Sequence, residues 1–447
     1  MIDTPPSPAL RPRLFYGWVV IAIAFVTMGV AISARTGLSL LYPEMLDEFG
    51  WSSGATAGAV GAGFAISTLG LPVVGWVMDR WGPRVALPIG ALLVAAGYAL
   101  LTITDSLLML YIAVGALAVN GSMDMSYIAH AMFLANWFVR NRGLATGIAF
   151  SGVGVGGAVL LPAMQAAIEA HGWRTAAMGT AALVLVVIVP INAIFQRRSP
   201  QEMGLNPDGD PDAAEGVAPR GPSPADLIVD HAWAATEWTL ARALRTARFW
   251  WVSAGFSLGL FIWYAIQMHQ TRFLIEVGVS PAVAATALGM TALCGVAGQI
   301  GIGALSDRIG REPCWIIVGV GFAIASAALL LMARGAGGPP SALLMWVAVG
   351  AQGLMGYGLA ALFGAVIAEI FAGPRLASVL AAISISGNIG GGTGAWMMGA
   401  LHDATGNYQL GFTICIGASL LSPVCIAIAA PGKVRRVAGK ARRAAKG

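Results

Sequence analysis

The sequence predicts an all-α polytopic membrane protein, with twelve transmembrane helices in two pseudo-symmetric six-helix bundles. Three observations support this fold class. Hydrophobic residues make up 57% of the 447 residues and charged residues 11%, with a mean hydropathy of +0.76, whereas soluble domains carry roughly 25% charged residues. The apolar residues form twelve stretches long enough to cross a bilayer. One short charged turn also occurs twice, half a chain apart.

The repeated turn has the pattern Gly-x-x-x-Asp-Arg-x-Gly and occurs at residues 75–82 and 303–310. Its two aspartates, Asp79 and Asp307, lie 228 positions apart. Each copy lies between two apolar stretches, so the chain is predicted to be an internal duplication. Duplicated bundles of spanning helices are typical of secondary transporters.

Each predicted span contains about 20 or more mostly apolar residues, the length that crosses the hydrocarbon core. In chain order the predicted spans are 15–41, 53–78, 84–104, 107–135, 143–168, 174–195, 249–274, 281–304, 313–333, 341–370, 376–400 and 409–430.

The loops between these spans alternate in charge. The inner loops carry cations, namely Arg80, Arg84, Arg140, Arg142, Arg197, Arg198, Arg308, Arg311 and Arg375. The outer loops carry mostly acids, namely Glu44, Asp47, Glu48, Asp105, Glu169, Glu276 and Asp403. The positive-inside rule therefore places both termini in the cytoplasm, and we expect a multi-pass protein of the bacterial inner membrane.

The predicted domains are an N-terminal bundle at 1–196, a cytoplasmic linker at 197–247, a C-terminal bundle at 248–432 and a basic cytoplasmic tail at 433–447. The first half of the linker, around residues 206–212, is rich in Pro, Gly and Asp and is predicted to be flexible. In its second half Trp233, Leu240 and Leu244 alternate with charged residues. That pattern predicts an amphipathic helix on the inner membrane surface, with a helical extension of span seven as the alternative.

Two six-span halves joined by a linker, with the repeated turn after spans two and eight, resemble the major facilitator superfamily. The resemblance covers essentially the whole chain and implies the major facilitator fold. In that fold two halves rock about a central cavity to expose it to each side of the membrane in turn.

The charges of the repeated turn can hold the inner ends of the two halves together. A carboxylate stabilises a helix N-terminus, so Asp79 is expected to cap span eleven and Asp307 to cap span five. Arg80 and Arg308 are expected to pair with acidic groups such as Glu369. The predicted gate residues are Asp79, Arg80, Arg142, Asp307, Arg308, Glu369 and Arg375. Ordinary turn charges without a gating role are the alternative.

Two glycine-rich runs echo each other between the halves, at 151–157 in span five and 386–392 in span eleven. Because glycine lacks a side chain, both runs predict close packing of neighbouring helices. A phosphate-binding loop is a poor interpretation, since no strand precedes either run.

Two charged residues are predicted to lie well inside the first bundle, where an ionisable group is costly. Arg35 is placed ~10 Å below the outer surface and Asp124 ~20 Å from the inner end of span four. Asn120, Asp124 and Tyr127 are spaced to share one helical face. We interpret Arg35 as attracting an anion and Asp124 as accepting a coupling proton, because burial favours a protonated carboxyl. A structural salt bridge between the two is the alternative.

The remaining membrane-embedded polar groups are mostly neutral. His269, late in span seven, is a candidate cavity residue, whereas His130 in span four is more typical of a structural histidine. Gln299, Gln352, Tyr357 and Asn388 lie near mid-depth in the second half. The candidate substrate-binding residues are therefore Arg35, Asn120, Tyr127, His269, Gln299, Tyr357 and Asn388.

Several phrases narrow the resemblance. They are Phe-Tyr-Gly-Trp-Val-Val from Phe15, Phe-Gly-Trp-Ser from Phe49, Asn-Trp-Phe-Val-Arg-Asn-Arg-Gly from Asn136, and Leu-His-Asp-Ala-Thr-Gly-Asn-Tyr from Leu401. Together they resemble the bacterial monocarboxylate transporter and oxalate/formate antiporter group. That resemblance implies small organic anions, carried by proton symport or by exchange. It also matches Arg35 and His269 to a span-one cation and a span-seven histidine of that group.

The chain departs from that group at two positions. Gln299 stands where many relatives carry a span-eight arginine, and span eleven has no lysine. With one buried cation, a dicarboxylate fits poorly, and a monocarboxylate or a weakly charged solute fits better.

We therefore expect a secondary transporter of a small monocarboxylate-like anion, coupled to protons, working as a monomer in the lipid bilayer. A multidrug or other small-solute exporter is the main alternative, and a non-transporting membrane sensor is a remote one. The sequence shows no catalytic constellation, no metal-ligand spacing among its His and Cys residues, and no nucleic-acid-binding pattern. No enzyme activity, cofactor, metal or nucleic-acid partner is predicted.

Overall fold

The computed structural model describes residues 15–51, 53–210, 222–335 and 340–444. Twelve helices within these ranges are long and apolar enough to cross a membrane, which confirms the predicted spans. They are α1 (Tyr16–Phe49), α2 (Ser53–Trp81), α3 (Pro83–Leu101), α4 (Leu107–Trp137), α5 (Arg142–His171), α6 (Trp173–Phe195), α7 (Ala247–Glu276), α8 (Pro281–Ile309), α9 (Arg311–Arg334), α10 (Ala342–Ile370), α11 (Leu376–Thr405) and α12 (Gln409–Ala429).

The glycine that closes each repeated turn has a backbone that other residues rarely adopt. Gly82 has φ 74° and ψ −177°, and Gly310 has φ 110° and ψ 165°. Each is the residue immediately before the next helix, α3 or α9. A positive φ carries little penalty only for glycine, which explains why both copies of the turn place glycine there.

Helices α4 and α10, which hold corresponding positions in the two halves, are not regular α-helices. Both contain a wide π-helical segment, Tyr111–Val119 in α4 and Ala351–Gly356 in α10. In α4 the helix is also interrupted at residues 124–126, before it resumes at Tyr127. Such segments often mark functional positions in helices.

The two bundles meet where both repeated turns and the linker lie, and we call this end of the molecule the linker side. Helix α5 packs on α8, and α2 packs on α11. A Cβ added to Gly75 would lie 2.9 Å from the Ala381 Cβ, and one added to Gly147 would overlap the Gln299 backbone. Glycine therefore lets the two halves approach at the backbone level, as expected for membrane helices.

The first part of the linker is docked on the N-terminal bundle, so its predicted flexibility is wrong for residues 206–210. The Asp208 carboxylate accepts hydrogen bonds from the N–H groups of Val139 and Arg140, both at 3.1 Å. The Arg140 guanidinium pairs with Asp210 at 2.5 Å. Burial raises the pKa of Asp208, although these hydrogen bonds oppose the shift. The rest of the predicted flexible stretch, residues 211–221, lies outside the described residues.

The second part of the linker does not form the predicted amphipathic helix. It forms two single-turn helices, His231–Ala234 and Leu240–Ala243, before α7 begins at Ala247. The Trp233 indole N–H donates to the Ile370 carbonyl at 2.8 Å, and Trp233 and Trp238 pack against Phe371. This part of the linker therefore covers the linker-side end of α10. Its two tryptophans bury their apolar rings against the protein instead of in the membrane surface.

The basic tail is also packed against the protein over its described residues. The Arg436 N–H donates to the Leu227 carbonyl at 2.7 Å, so tail and linker lie side by side. A short helix, Ala438–Ala444, follows and contacts the linker-side end of α8 at Arg308. Tail and linker together cover the linker side of the second bundle.

Candidate functional site

The two aspartates of the repeated turns cap helices of the opposite half, as predicted. The Asp79 carboxylate accepts hydrogen bonds from the N–H groups of Ala377 and Ser378 at the start of α11, at 3.1 and 3.0 Å. The Asp307 carboxylate accepts from the N–H groups at the start of α5, those of Gly143 and Leu144, both at 2.9 Å. Helix N-termini favour a negative charge, so each aspartate ties its own half to the other.

The predicted pairing of the turn arginines with Glu369 is wrong. Arg308 is exposed, and Arg80 lies over the rings of Trp76 and Trp81 on the outside of α2. The residue that pairs with Glu369 is Arg311, at 2.7 Å. Arg308 ends α8 and Arg311 begins α9, so the two arginines belong to different helices, and the packing of α9 on α10 decides which of them reaches Glu369.

Arg311 joins two carboxylates at the linker-side end of the second half. Its guanidinium lies 2.7 Å from Glu369 and 2.8 Å from Asp307, and it also donates to the Ser306 hydroxyl. The Arg311 side chain is 1% exposed. Two anions around one buried arginine therefore connect α8, α9 and α10, and through Asp307 they reach α5.

The other two predicted gate arginines occupy different surroundings. Arg142 is buried at the start of α5, where its Nε donates to the carbonyls of Ala135 and Phe138, both at 3.1 Å. Arg375 precedes α11 and is exposed. Arg142 thus anchors the α4–α5 turn beneath the Asp307 cap, whereas Arg375 takes no part in the described contacts between the halves.

Arg35 on α1 is a partly buried cation without an acidic partner. Its Nη1 donates to the Met123 sulfur on α4 at 3.2 Å, and its guanidinium lies 5.7 Å from the centre of the Phe64 ring. Among the described residues, no carboxylate oxygen lies within 4.0 Å of it. Tyr264 and Tyr127, one from each half, are close enough to act on its charge.

Asp124 does not pair with Arg35, and the helix that would place it on one face with Tyr127 is interrupted between the two residues. The interruption of α4 at residues 124–126 separates Asp124 from Tyr127. The Asp124 Cβ packs towards Gly90 of α3, whereas the Asn120 oxygen accepts a hydrogen bond from Ser67 of α2 at 3.0 Å. Spacing predicts a common face only while the helix is regular, so the interruption explains the difference.

The second half contributes a set of neutral hydrogen-bonding groups next to these residues. The Gln267 oxygen of α7 faces the Tyr357 hydroxyl and the Gln352 amide of α10, both at 3.4 Å. The Trp263 ring packs against Tyr357 with ring centres 4.3 Å apart. Gln299 of α8 faces the Tyr127 hydroxyl across the two halves. The oxygens of Gln299 and Gln352 are buried and have no protein partner among the described residues.

The structure does not bring two further candidates, Asn388 and His269, to Arg35, and it buries His130 away from it. Asn388 of α11 donates to Thr68 of α2 at 3.2 Å, which is a contact between the two halves. His269 lies far along α7, with its Nε2 2.9 Å from the Ala395 carbonyl and its Nδ1 3.5 Å from the Tyr408 hydroxyl. His130 is fully buried, and its Nδ1 contacts the Ser126 carbonyl at 3.1 Å, in agreement with a structural histidine.

Three residues near the site were not among the predicted binding residues. Met123 and Gln267 contact predicted site residues directly, and Tyr264 lies near Arg35. Tyr264 and Gln267 are polar residues of span seven, so their residue type alone could have marked them as candidate site residues. Met123 carries no such signal, because a methionine in an apolar stretch is indistinguishable from a core residue.

The chain matches a family model described as "Major Facilitator Superfamily" over residues 19–351 and 272–446. The chain belongs to this superfamily. It is therefore a multi-pass membrane transporter and not an enzyme.

Curated relatives align with this chain over most of their length. Monocarboxylate transporter 11 of Mus musculus is 26% identical over 92% of this chain and 86% of its own. Monocarboxylate transporter 13 of Rattus norvegicus is 26% identical over 93% and 89%.

Solved structures of the superfamily share the fold. The proton:xylose symporter XylE, bound to 6-bromo-6-deoxy-D-glucose, matches with a TM-score of 0.68 and 15% identity, covering 95% of this chain and 98% of its own. The human organic anion transporter MFSD10 matches with a TM-score of 0.68 and 17% identity, covering 93% and 100%. FucP in the outward conformation matches with a TM-score of 0.64 and 16% identity, covering 93% and 99%.

Proposed function

We propose that this superfamily member carries a small organic anion with one carboxylate, by alternating access and together with a proton. The observation that supports the anion is Arg35, a partly buried cation whose only described hydrogen-bond partner is a thioether. A charge inside the membrane without a counter-ion is costly. A bound carboxylate would supply that counter-ion, and the planar guanidinium can bind it through two N–H groups.

The rest of the site favours a monocarboxylate over a dicarboxylate. Tyr127 and Tyr264 lie near Arg35, and the described groups linked to these tyrosines or to one another are also neutral, namely Gln267, Gln299, Gln352 and Tyr357. They can hydrogen-bond a hydroxyl, a carbonyl or the edge of a carboxylate, but they cannot neutralise a second negative charge. The names of the curated relatives, monocarboxylate transporters 11 and 13, support the same substrate class.

The same cation argues against the main alternative, export of cationic drugs. A positively charged solute would have to approach an uncompensated Arg35 in a low-dielectric cavity, where like charges repel strongly. A neutral solute would leave Arg35 without a counter-ion.

Counterflow of labelled pyruvate or lactate into proteoliposomes tests the proposal. We expect uptake by the wild type and loss of about tenfold or more in Arg35→Gln, because a hydrogen-bonded charge pair contributes about 1.5–3 kcal/mol. Arg272→Gln is the matched control. Arg272 is exposed and pairs only with its neighbour Glu276 at 2.8 Å, so uptake should persist. Equal uptake by wild type and Arg35→Gln, or efflux of a cationic dye without uptake of any small acid, would refute the proposal.

For the coupling proton we propose Asp124. Its carboxylate has no ion-pair partner among the described residues, and it directly follows Met123, the partner of Arg35. It also lies at the interruption of α4. Burial favours the protonated form of such a group. Proton binding there would change the geometry of the α4 interruption and with it the position of Met123 beside Arg35.

We further propose that the linker side faces the cytoplasm of a bacterial cell. The arginines of both turns, the linker and the basic tail all lie there, as the positive-inside rule requires. A protease-sensitive tag at the C-terminus should be cleaved in inside-out vesicles and protected in intact cells. The reverse pattern would contradict this orientation.

A further inference from the structure

The gates of the two halves are built differently, although both use an aspartate to cap a helix of the other half. In the second half Arg311 follows the turn glycine and pairs with Glu369 and Asp307. In the first half the residue that follows the turn glycine is Pro83. Proline has no cationic group, so the first half lacks the arginine that neutralises its capping aspartate.

The acidic partner is missing from the first half as well. Glu369 lies two residues before Phe371 at the end of α10, and Asn136 lies two residues before Phe138 at the end of α4. The Asn136 amide donates to the backbone carbonyl of Arg198, at 3.2 Å. The neutral counterpart of Glu369 therefore binds the linker rather than an arginine of the turn.

Arg198, at the start of the linker, occupies the position that the missing arginine leaves. Its guanidinium donates to two backbone carbonyls, that of Asp79 at the end of α2 and that of Pro374 just before α11. The first belongs to the N-terminal bundle and the second to the C-terminal bundle. One side chain thus joins the two halves directly, beside the Asp79 cap, where its charge also acts on the Asp79 carboxylate.

The backbone of Arg198 is held in place on the N-terminal side. Its N–H donates to the Glu202 carboxylate at 3.2 Å, and its carbonyl accepts from Asn136. Its Cβ would lie 3.3 Å from a Cβ added to Gly82, so its stem packs on the repeated turn. The contact to Pro374 is therefore the part of this arrangement that must break when the two halves separate.

We propose that Arg198 is a positioning residue of the gate, which the linker supplies in place of a turn arginine and which holds the first-half side of the gate closed. The planar guanidinium suits this role, because it can donate to two acceptors in fixed directions at once. Rocking of the bundles would release Pro374 while Arg198 stays on Asp79 and Asn136. The inference concerns the gate alone, so it holds for any transported solute.

The experiment measures how often the gate opens, without a transport assay. Leu376 is 3% exposed and lines a small cavity together with Asp79, Asn136 and Arg198. In a version whose four native cysteines are replaced, Leu376→Cys introduces one thiol that a maleimide reaches only when the halves part. Labelling rates are compared for the purified full-length protein with Arg198, with Arg198→Gln and with Arg198→Lys.

We expect Arg198→Gln to raise the labelling rate roughly fivefold or more, since charge-assisted hydrogen bonds are the stronger kind. Arg198→Lys keeps the charge but loses the two-directional geometry, so its rate should fall between the other two. Arg197→Gln is the matched control, because within the described part of the chain Arg197 donates only to carbonyls of its own segment, those of Ile194 and Gln196, at 2.7 and 2.8 Å. Its rate should equal that of the parent.

Two results would overturn the proposal. One is an equal labelling rate with and without Arg198. The other is a lower melting temperature in Arg198→Gln without faster labelling, which would mean that Arg198 stabilises the fold but does not act on the gate. Failure of anion uptake would leave this inference untouched, because the labelling reaction involves no transported solute.

Discussion

Two arginines in the membrane-spanning helices, Arg311 and Arg35, differ in whether the protein itself neutralises their charge. Arg311 is 1% exposed and lies within 2.8 Å of two carboxylates. Arg35 is partly buried and donates to a thioether. The first charge is compensated by the protein itself. The second is not compensated by the protein, and a charge inside the membrane is costly unless a ligand supplies the counter-ion.

The Arg311 network makes a prediction about stability. Arg311→Met leaves Glu369 buried without its partner, which should lower the free energy of unfolding by about 3–5 kcal/mol. Removing the Glu369 charge with Glu369→Met in the same protein should recover much of that loss, because Asp307 keeps its hydrogen bonds to the α5 N–H groups and a buried ion pair is often replaceable by apolar side chains. Unfolding titrations in mixed micelles measure both variants. A single variant as stable as the wild type would contradict the prediction.

At the scale of the helices, the glycine runs act as contact surfaces in both halves. A Cβ at Gly152 would overlap the Phe25 carbonyl, so α5 touches α1 backbone to backbone. A Cβ at Gly390 would overlap the Ser257 carbonyl in the corresponding pair, α11 and α7. The sequence predicted close packing at these runs, and the structure confirms it for the glycines that face a neighbour.

Not every glycine of the runs should matter equally. Gly152→Ala forces α1 and α5 apart, and overpacking of this kind should cost about 1–3 kcal/mol of stability. Gly157→Ala is the matched control in the same helix, since the nearest atom to its new Cβ would be 4.0 Å away in Leu161. Thermal unfolding of the purified variants distinguishes them. Equal melting temperatures would show that α1 and α5 adjust without cost.

At the scale of the whole molecule, two sets of contacts hold the two halves together on the linker side. Asp307 links the cap of α5 to the Arg311 network in α8, α9 and α10. Asp79 and Arg198 link α2 to the start of α11. The Arg311 network reaches α10 at Glu369, and the same helix carries Tyr357, which directly follows its π-helical segment. Motion of the halves can therefore be transmitted to the site through α10.

Proton coupling is a property of the whole transport cycle, and Asp124→Asn should separate it from substrate exchange. Counterflow, in which labelled and unlabelled substrate exchange, should continue at a rate similar to that of the wild type. Accumulation driven by a pH gradient should disappear, because the neutral amide cannot take up or release the proton. Asp105→Asn, in an exposed turn, should preserve both. Full pH-driven accumulation by Asp124→Asn would exclude Asp124 as the proton site.

Much of this architecture follows from local sequence patterns. Twelve apolar stretches predict the twelve helices, because a chain in lipid must satisfy its backbone hydrogen bonds within each span. The repeated aspartates predict the caps of α5 and α11, because few other groups at these ends can accept hydrogen bonds from exposed helix N–H groups. Both predictions depend on composition and on neighbours in the sequence, and the structure confirms both.

Tertiary structure alone decided which charges meet. Arg311 rather than Arg308 reaches Glu369, Arg35 contacts Met123 rather than Asp124, and Arg198 joins the two halves. These outcomes depend on how each helix is rotated and where it is interrupted. An apolar stretch has the same composition whether it forms an α-turn or a π-turn, so composition does not predict which charges meet. The sequence by itself determined the helices and the caps, and packing determined the partner of each buried charge.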